Sequence, residues 1–387
     1  MKILLVHNYY QQPGGEDAVF AAEADLLREF GHHVVEYTVH NEDVAHLSHL
    51  RLARALLWND RTYKDLQSLI QRERTQLAHF HNVFPLLSPS VYYAAKEARI
   101  PVVQTLHNYR LLCPNGLFFR DGHVCEACVG RHIPWPAVAH ACYRQSRVAS
   151  AGIVTMLGLH RMLGTWATTV NVFIALTEFA RHKFIEGGLP ADKIMLKPNF
   201  VKTNGNHSQT RDDYALFVGR LSTGKGIETL LQAWKSLAGT VALKIVGDGP
   251  LLPLVAEFTK DTRGITYMGR QPGHQVHELM GKAACVVVPS ELYETFGRVI
   301  VEAFANGTPV IGSKIGALAE LVEHEQTGLH FEPGNQHDLI DKVTWAFAHR
   351  DKLAAMGRSA RAKYEKRYTP QTNYELLMNI YEKAMHN

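Results

Sequence analysis

Two carboxylates, Glu294 and Glu302, stand eight residues apart in the stretch from Pro289 to Gly307. An apolar run ends at Val288, and a helical pattern opens just after Gly297. The stretch therefore reads as strand, loop and helix, with Glu294, Thr295 and Phe296 on the loop and Glu302 on the helix. Carboxylates suit polyols because they accept hydrogen bonds from paired hydroxyls. The backbone N–H groups that open the helix form a site for an anion such as phosphate. Apolar Val301, Ala303 and Phe304 around Glu302 argue against a merely solvated carboxylate. A second passage, Phe217 to Gly226, has the same layout and carries Gly219, Arg220, Gly224, Lys225 and Gly226. Its cations would neutralise a diphosphate, and its glycines allow the backbone close to a ligand. A third turn, Gly247-Asp248-Gly249-Pro250, ends another apolar run in the same way.

These loops need strands to hold them. The first half offers Ile3–Val6, Val34–Val39, Leu77–Phe80, Val102–Thr105 and Val172–Leu176 as buried strands, with amphipathic stretches such as Val19–Phe30 between them. A polar run from Thr203 to Asp213 marks a join. The second half repeats the alternation with strands Ala215–Val218, Ala242–Val246, Ile265–Met268, Cys285–Val288 and Pro309–Ile311. Helices are expected near Ile227–Leu237, Leu251–Phe258, Val276–Lys282 and Val299–Ala305, and the tail from Gln336 is helical by periodicity. Such alternation predicts parallel sheets covered by helices on both faces, with ligands at the carboxyl ends of the strands. At 387 residues the chain suits two α/β domains rather than one core. The expected division is 1–200, 201–365 and a last helix, 366–387, returning to the N-terminal domain.

The segment from Glu294-Thr295-Phe296-Gly297 through Glu302-Ala303 to Gly307-Thr308-Pro309-Val310-Ile311, continued by Gly316, Glu320 and Gly328, resembles the retaining nucleotide-sugar glycosyltransferases of family four. The likeness spans nearly the whole chain and is densest from Leu216 to Gly334. It implies the GT-B architecture, in which two Rossmann-like domains face each other across a cleft and close around the donor. It also implies that Glu294 lies by the donor sugar, Glu302 holds the ribose hydroxyls, and Arg220 and Lys225 stabilise the departing diphosphate. Family members need no metal for catalysis and retain anomeric configuration by same-face attack, which makes Glu294 a positioning group rather than a nucleophile. Gly14 and Gly15 match a glycine-rich loop that lies under diphosphate and acceptor in the family. His107, just past Val102–Thr105, matches a histidine that contacts the reacting sugar. His81, in His79-Phe80-His81-Asn82, is a weaker candidate.

Four of the five cysteines, Cys113, Cys125, Cys128 and Cys142, fall within thirty residues. A Cys-x-x-Cys pair flanked by a cysteine on either side has the donors for a tetrahedral structural zinc, and four buried free thiols are the alternative. From Arg99 to Lys183 nine Lys and Arg stand against three Asp and Glu. That surplus suits an anionic acceptor, such as a lipid diphosphate, or an anionic membrane face. The segment Leu50 to Trp58 has the same basic amphipathic character. A solvated helix face is the plain alternative for both.

A net charge of +4 does not call for nucleic acid. The N-terminal run to Val6 reads as a strand rather than a signal peptide, and no apolar run is long enough to span a membrane. The expected setting is the cytosol, peripheral at the inner membrane face, with a UDP- or GDP-sugar donor and a glycan or lipid-linked acceptor in surface polysaccharide assembly. A non-catalytic nucleotide-sugar-binding subunit and a nucleotide-sugar epimerase are the rival readings.

Overall fold

The structure, a computed structural model, describes residues 1–11, 14–42, 49–203 and 211–386, the side chains of His49 and Leu50 excepted. Gln12 and Pro13 of the first glycine loop, and residues 204–210 of the polar join, lie outside the described residues. The chain divides into two compact units. Unit 1 comprises Met1–Phe118, Glu126–Asn199 and Asn373–Asn387, and unit 2 comprises Phe119–Cys125 and Phe200–Thr372.

Unit 1 is built on a six-stranded parallel sheet. Its strands are β1 (Lys2–Tyr9), β2 (His33–His40), β3 (Leu77–Asn82), β4 (Val102–Thr105), β7 (Val172–Ala175) and β8 (Ile194–Leu196), in the order β2-β1-β3-β4-β7-β8. Every residue of β3, β4 and β7 is buried, as expected of strands covered on both faces, while edge strand β2 has no fully buried residue and exposes His33, Glu36 and His40. Local chemistry places the helices. Asn59 caps Asp60–Glu73 by accepting from the amides of Arg61 and Thr62, and the helix stops at left-handed Arg74. Ser146 caps Arg147–Met162 by accepting from Ala149 N at 3.2 Å.

Unit 2 has a second six-stranded parallel sheet, β9 (Tyr214–Val218), β10 (Ala242–Val246), β11 (Ile265–Tyr267), β12 (Cys285–Val288), β13 (Val310–Ser313) and β14 (Gly328–Phe331). Its order is β11-β10-β9-β12-β13-β14. A short antiparallel pair, β5 (Phe119–Arg120) and β6 (His123–Val124), belongs to the same unit. The core packs Trp234, Leu230 and Leu231 of helix Ile227–Leu237 against Phe217, Ile245 and Val287, and Trp234 Nε1 donates to Val241 O at 3.0 Å. No helix among the described residues is long and apolar enough to cross a membrane.

The expected strands all form, with ends shifted by a few residues. The missed strands are the sixth of each parallel sheet and the pair β5 and β6, all short. β8 is three residues long. β14 opens on Gly328, where a Cβ would stand 1.9 Å from Val310 O. Close approach to β13 demands glycine there, and glycine hides the strand from a propensity reading.

Candidate functional site

In unit 2 the chain reverses its winding between β9 and β12, and a doubly wound sheet opens a crevice beyond the strand ends at such a point. The loops leaving these two strands carry Gly219 to Gly226 and Pro289 to Gly297. They pack backbone on backbone: Glu291 N donates to Gly224 O at 2.8 Å, and Leu221 N to Asp248 O at 2.9 Å. Gly226, at φ +69°, would put a Cβ 1.8 Å from Pro289 O, and Gly247 would put one 1.8 Å from Gly219 O. The three glycine-bearing turns of the sequence are thus one interlocked layer, closed to any side chain at these contacts.

On that layer Lys225 Nζ lies 2.7 Å from Glu294 Oε1, and Ser290 Oγ donates to the same oxygen at 2.5 Å. Burial raises the Glu294 carboxyl, but Lys225 and the two hydrogen bonds outweigh it and hold it below its ordinary range. Glu294 is therefore a fixed anion. Glu302, on helix Arg298–Ala305, pairs with Arg298 Nε at 3.0 Å, yet burial leaves it above the ordinary carboxylate range. Asn306 Nδ2 donates to Glu302 O at 2.8 Å. Arg220 is exposed and Thr295 half-buried, whereas Phe296 is buried 6.2 Å from the Tyr368 ring and anchors the loop rather than facing a ligand. Gly297, at φ +123°, opens the helix without a side-chain cap, so its first N–H groups have no partner from that side chain.

Unit 1 has its own reversal, between β1 and β3. At their carboxyl ends lies a buried polar cluster. His7 Nε2 meets Asp17 Oδ1 at 2.7 Å, and Gly14 N donates to Asp17 Oδ2 at 2.7 Å. Gly14 thus shapes the start of helix Gly15–Glu29, and Gly15 has nothing within 4 Å of a Cβ position. His81 Nδ1 and His107 Nε2 share a hydrogen bond of 2.9 Å. Behind them Glu23 reaches His79 Nδ1 at 3.1 Å, His81 Nε2 at 3.2 Å and Lys197 Nζ at 2.7 Å. Asn373 Oδ1 accepts from Lys197 at 3.1 Å, and the Tyr381 hydroxyl meets His79 at 2.8 Å.

The charges of this cluster follow from its burial. Burial works against the Glu23 charge, but Lys197 and His79 hold it ionised. Burial and its histidine neighbours hold His81 down to about 3 and His107 well below its usual value, so both rings are neutral. One proton then lies between His81 Nδ1 and His107 Nε2. Glu23, His79 and His81 also place their donor atoms close enough for a metal ion, but the cation they hold is the Lys197 ammonium. Beside them a narrow cavity of about 60 Å³ is lined by His81, His107 and Arg110 and by apolar Phe84, Met156 and Trp166. The Arg110 guanidinium lies 4.3 Å from the Phe84 ring centre.

The four cysteines expected to hold a structural zinc are divided between the two units. Among the described residues Cys113, Cys128 and Cys142, the three of unit 1, are not gathered as one group of metal ligands. Cys113 Sγ donates to Asn115 Oδ1 at 2.9 Å, and Cys128 and Cys142 pack with Ala137 and Val154. Cys125 belongs to unit 2, as a half-buried free thiol.

Sequence reading also missed Glu16, Asp17, Glu23 and Lys197. The signal for Glu23 was its helical phase, three after Phe20 and four before Leu27, inside the buried stripe. Glu16 is half-buried beside Tyr10 and Asn108, and burial pushes its carboxyl up to about 7. A carboxyl whose folded pKa is raised loses stabilising protonation as pH climbs from its unfolded value towards 7. Unfolding free energy should therefore fall over that window, and Glu16→Gln should flatten the slope. Urea titrations across that pH range check this, and an unchanged slope refutes it.

Comparison with known proteins points the same way. Residues 202–363 match the family model of the group 1 glycosyl transferases. An uncharacterized glycosyltransferase of Methanocaldococcus jannaschii is 23% identical over 391 residues, covering 99% of this chain and 98% of that protein. The lipopolysaccharide 1,2-N-acetylglucosaminetransferase of Salmonella typhimurium is 27% identical over 270 residues, 62% of this chain and 71% of its own. Among solved structures, Anabaena HepE in complex with UDP-glucose superposes with a TM-score of 0.69 at 20% identity, covering 98% of this chain and 99% of its own. The glycosyltransferase of Rickettsia africae superposes with a TM-score of 0.72 at 18% identity, over 100% and 99%. At these identities the structures establish the fold, which is the GT-B arrangement of two parallel-sheet α/β units.

Proposed function

We propose that this protein is a group 1 glycosyltransferase and transfers a hexose, with retention of configuration, from a nucleotide diphosphate to an acceptor hydroxyl in surface polysaccharide or glycolipid assembly. The observation that carries the reading is the Lys225–Glu294–Ser290 array on the interlocked glycine loops at the β9–β12 crevice. Lys225 has three donors, so it can keep Glu294 in place while also meeting a phosphate oxygen. Arg220 on the same loop adds a second cation. Together they would stabilise the charge that grows when the bond from the sugar C1 to the phosphate oxygen breaks and its electron pair leaves with the phosphate. Side-chain cations can supply this stabilisation, so no metal is assigned to the step. The acceptor oxygen bonds to C1 on the same face and its proton passes to the departing phosphate. Glu294 orients the sugar, and Glu302, released from Arg298, accepts from the ribose hydroxyls. On the acceptor side His107, held by its hydrogen bond to His81, would contact the sugar. HepE binds UDP and UDP-glucose, which supports a UDP-sugar as the first donor to try and a GDP-sugar as the second.

The test is thermal stabilisation by UDP-, GDP-, dTDP- and ADP-sugars with EDTA present, followed by transfer assays. One nucleotide class should stabilise the wild type, and Glu302→Ala should weaken that donor by about 1.5–3 kcal/mol, the worth of hydrogen bonds to a charged group. Loss of donor binding only when EDTA is added would overturn the metal-free reading. Donor binding without transfer to any acceptor would favour a binding subunit.

A further inference from the structure

Large apolar side chains are exposed at ten positions among the described residues, and seven of them lie between residues 117 and 163. Leu117, Ile133, Trp135, Val148, Leu159, Met162 and Leu163 are 39–84% accessible, with Trp135 at 56% and Met162 at 76%. Scattered exposed leucines mean little, but concentration in one stretch of one unit calls for an occupant.

The segment 131–135 and the end of helix Arg147–Met162 form one surface. Arg161 donates to Arg131 O, and to His132 O at 3.3 Å, which pins the segment to the helix. Ile133 Cγ1 stands 3.4 Å from the Cβ position of Gly158, so only a minimal side chain lets the segment lie so close. Met162 is one helical turn beyond Gly158, on the same face. Arg131 stands 5.6 Å from the Trp135 ring centre. Helix His49–Leu57 flanks the opposite side of Arg147–Met162, with Leu56 3.5 Å from the Cβ position of Gly152 and with exposed Arg51 and Arg54.

Charge identifies the occupant. From Ala127 to Thr177 there is no aspartate or glutamate, while Arg131, Arg144, Arg147 and Arg161 carry positive charge. Fifty-one residues without an acid, in a chain with 37 acids, leave no anionic group in this stretch to repel a negative surface. An aromatic ring, exposed aliphatic side chains and Arg131 on one surface, in a stretch that supplies no acid of its own, match the headgroup layer of an anionic bilayer, where tryptophan sits at the boundary and arginines meet lipid phosphates. A protein partner would be expected to use mixed charges at its rim.

We propose that the surface built by Ile133, Trp135, Leu159, Met162 and Leu163 with the arginines of the acid-free stretch docks unit 1 on an anionic lipid bilayer. Helix Arg147–Met162 then has two roles. Met156 lines the cavity beside His107, while Leu159 and Met162 face the lipid. The inference goes beyond the donor reading and does not depend on it, because docking requires no turnover.

Flotation of the full chain with vesicles tests it, using phosphatidylcholine alone or mixed in equal parts with phosphatidylglycerol. The wild type should float with the anionic vesicles, not with the neutral ones, and salt should release it. Trp135→Glu with Met162→Glu should weaken that partition at least about tenfold. Both side chains are exposed, so the variant should keep the wild-type melting temperature and its shift with nucleotide sugar, which separates failure of docking from failure of the donor site. No flotation of the wild type at low salt, equal binding to neutral vesicles, or undiminished binding by the double variant would overturn the proposal. So would a wild-type dimer in solution that the double variant converts to a monomer, since a second copy would then be the occupant.

Discussion

Lys225→Ala is expected to slow sugar transfer by about 10²–10³-fold at saturating donor, the usual loss when one preorganised donor to a developing oxyanion is removed. The ammonium does two jobs through one atom. At 2.7 Å it fixes Glu294, and through its other protons it would meet the leaving phosphate. Alanine removes both, and Glu294 loses the cation that most lowers its carboxyl, so burial is free to raise its pKa. The effect should fall on kcat more than on KM, because the phosphate gains most of its charge on the way to the transition state. Glu294→Gln in the Lys225→Ala background should cost less than it does alone, since the two groups act as a unit. Steady-state rates for the four proteins decide the matter. A Lys225→Ala rate within a few-fold of wild type would remove the lysine from the diphosphate.

The second large effect is on stability. Lys197→Met should destabilise the protein by about 3–5 kcal/mol, the usual cost of stranding one partner of a buried ion pair. Lys197 and Glu23 are each about 1% exposed at the side chain, and two histidines crowd the same carboxylate. Adding Glu23→Gln should recover most of the loss, because the stranded charge goes with it. The pH dependence has a definite sign. Glu23 is held well below its ordinary value, so its contribution is present above the unfolded carboxylate pKa and disappears as pH falls through the folded one. The double variant should therefore lose less stability in acid than the wild type does. Chemical denaturation of the single and double variants measures both claims, and a single variant as stable as the double would contradict the first.

The loops of the proposed donor half-site were legible in the sequence because each is local. Each of Gly219–Gly226, Gly247–Pro250 and Pro289–Gly297 is a strand end followed by a helix start, legible in a window of ten residues or so. The interlocking of the turns was not legible, since Gly226 meets Pro289 only once the sheet has ordered β9 beside β12. On the other unit, His81 and His107 could be picked out as strand-end residues. Their hydrogen bond depends on β3 and β4 being neighbours. Glu23 and Lys197 were out of reach because burial of a charge is decided by a partner 174 residues away, not by its neighbours in sequence. For the cysteines only nearness along the chain is legible, and that does not fix nearness in space.

The order in which the chain is made gives the last helix, Pro370–His386, a further role. Asn373 and Tyr381 supply contacts to Lys197 and His79, so the buried cluster of the first unit waits for residues made after the whole of Phe200–Thr372. Unit 2 draws its long segment, Phe200–Thr372, from the chain in one piece before that happens. Unit 1 is thus completed only after that segment has been made, with Lys197 and His79 waiting for their asparagine and tyrosine partners. Nascent chains halted before Asn373 should expose this half-built interior to chaperones, while their second unit is already whole.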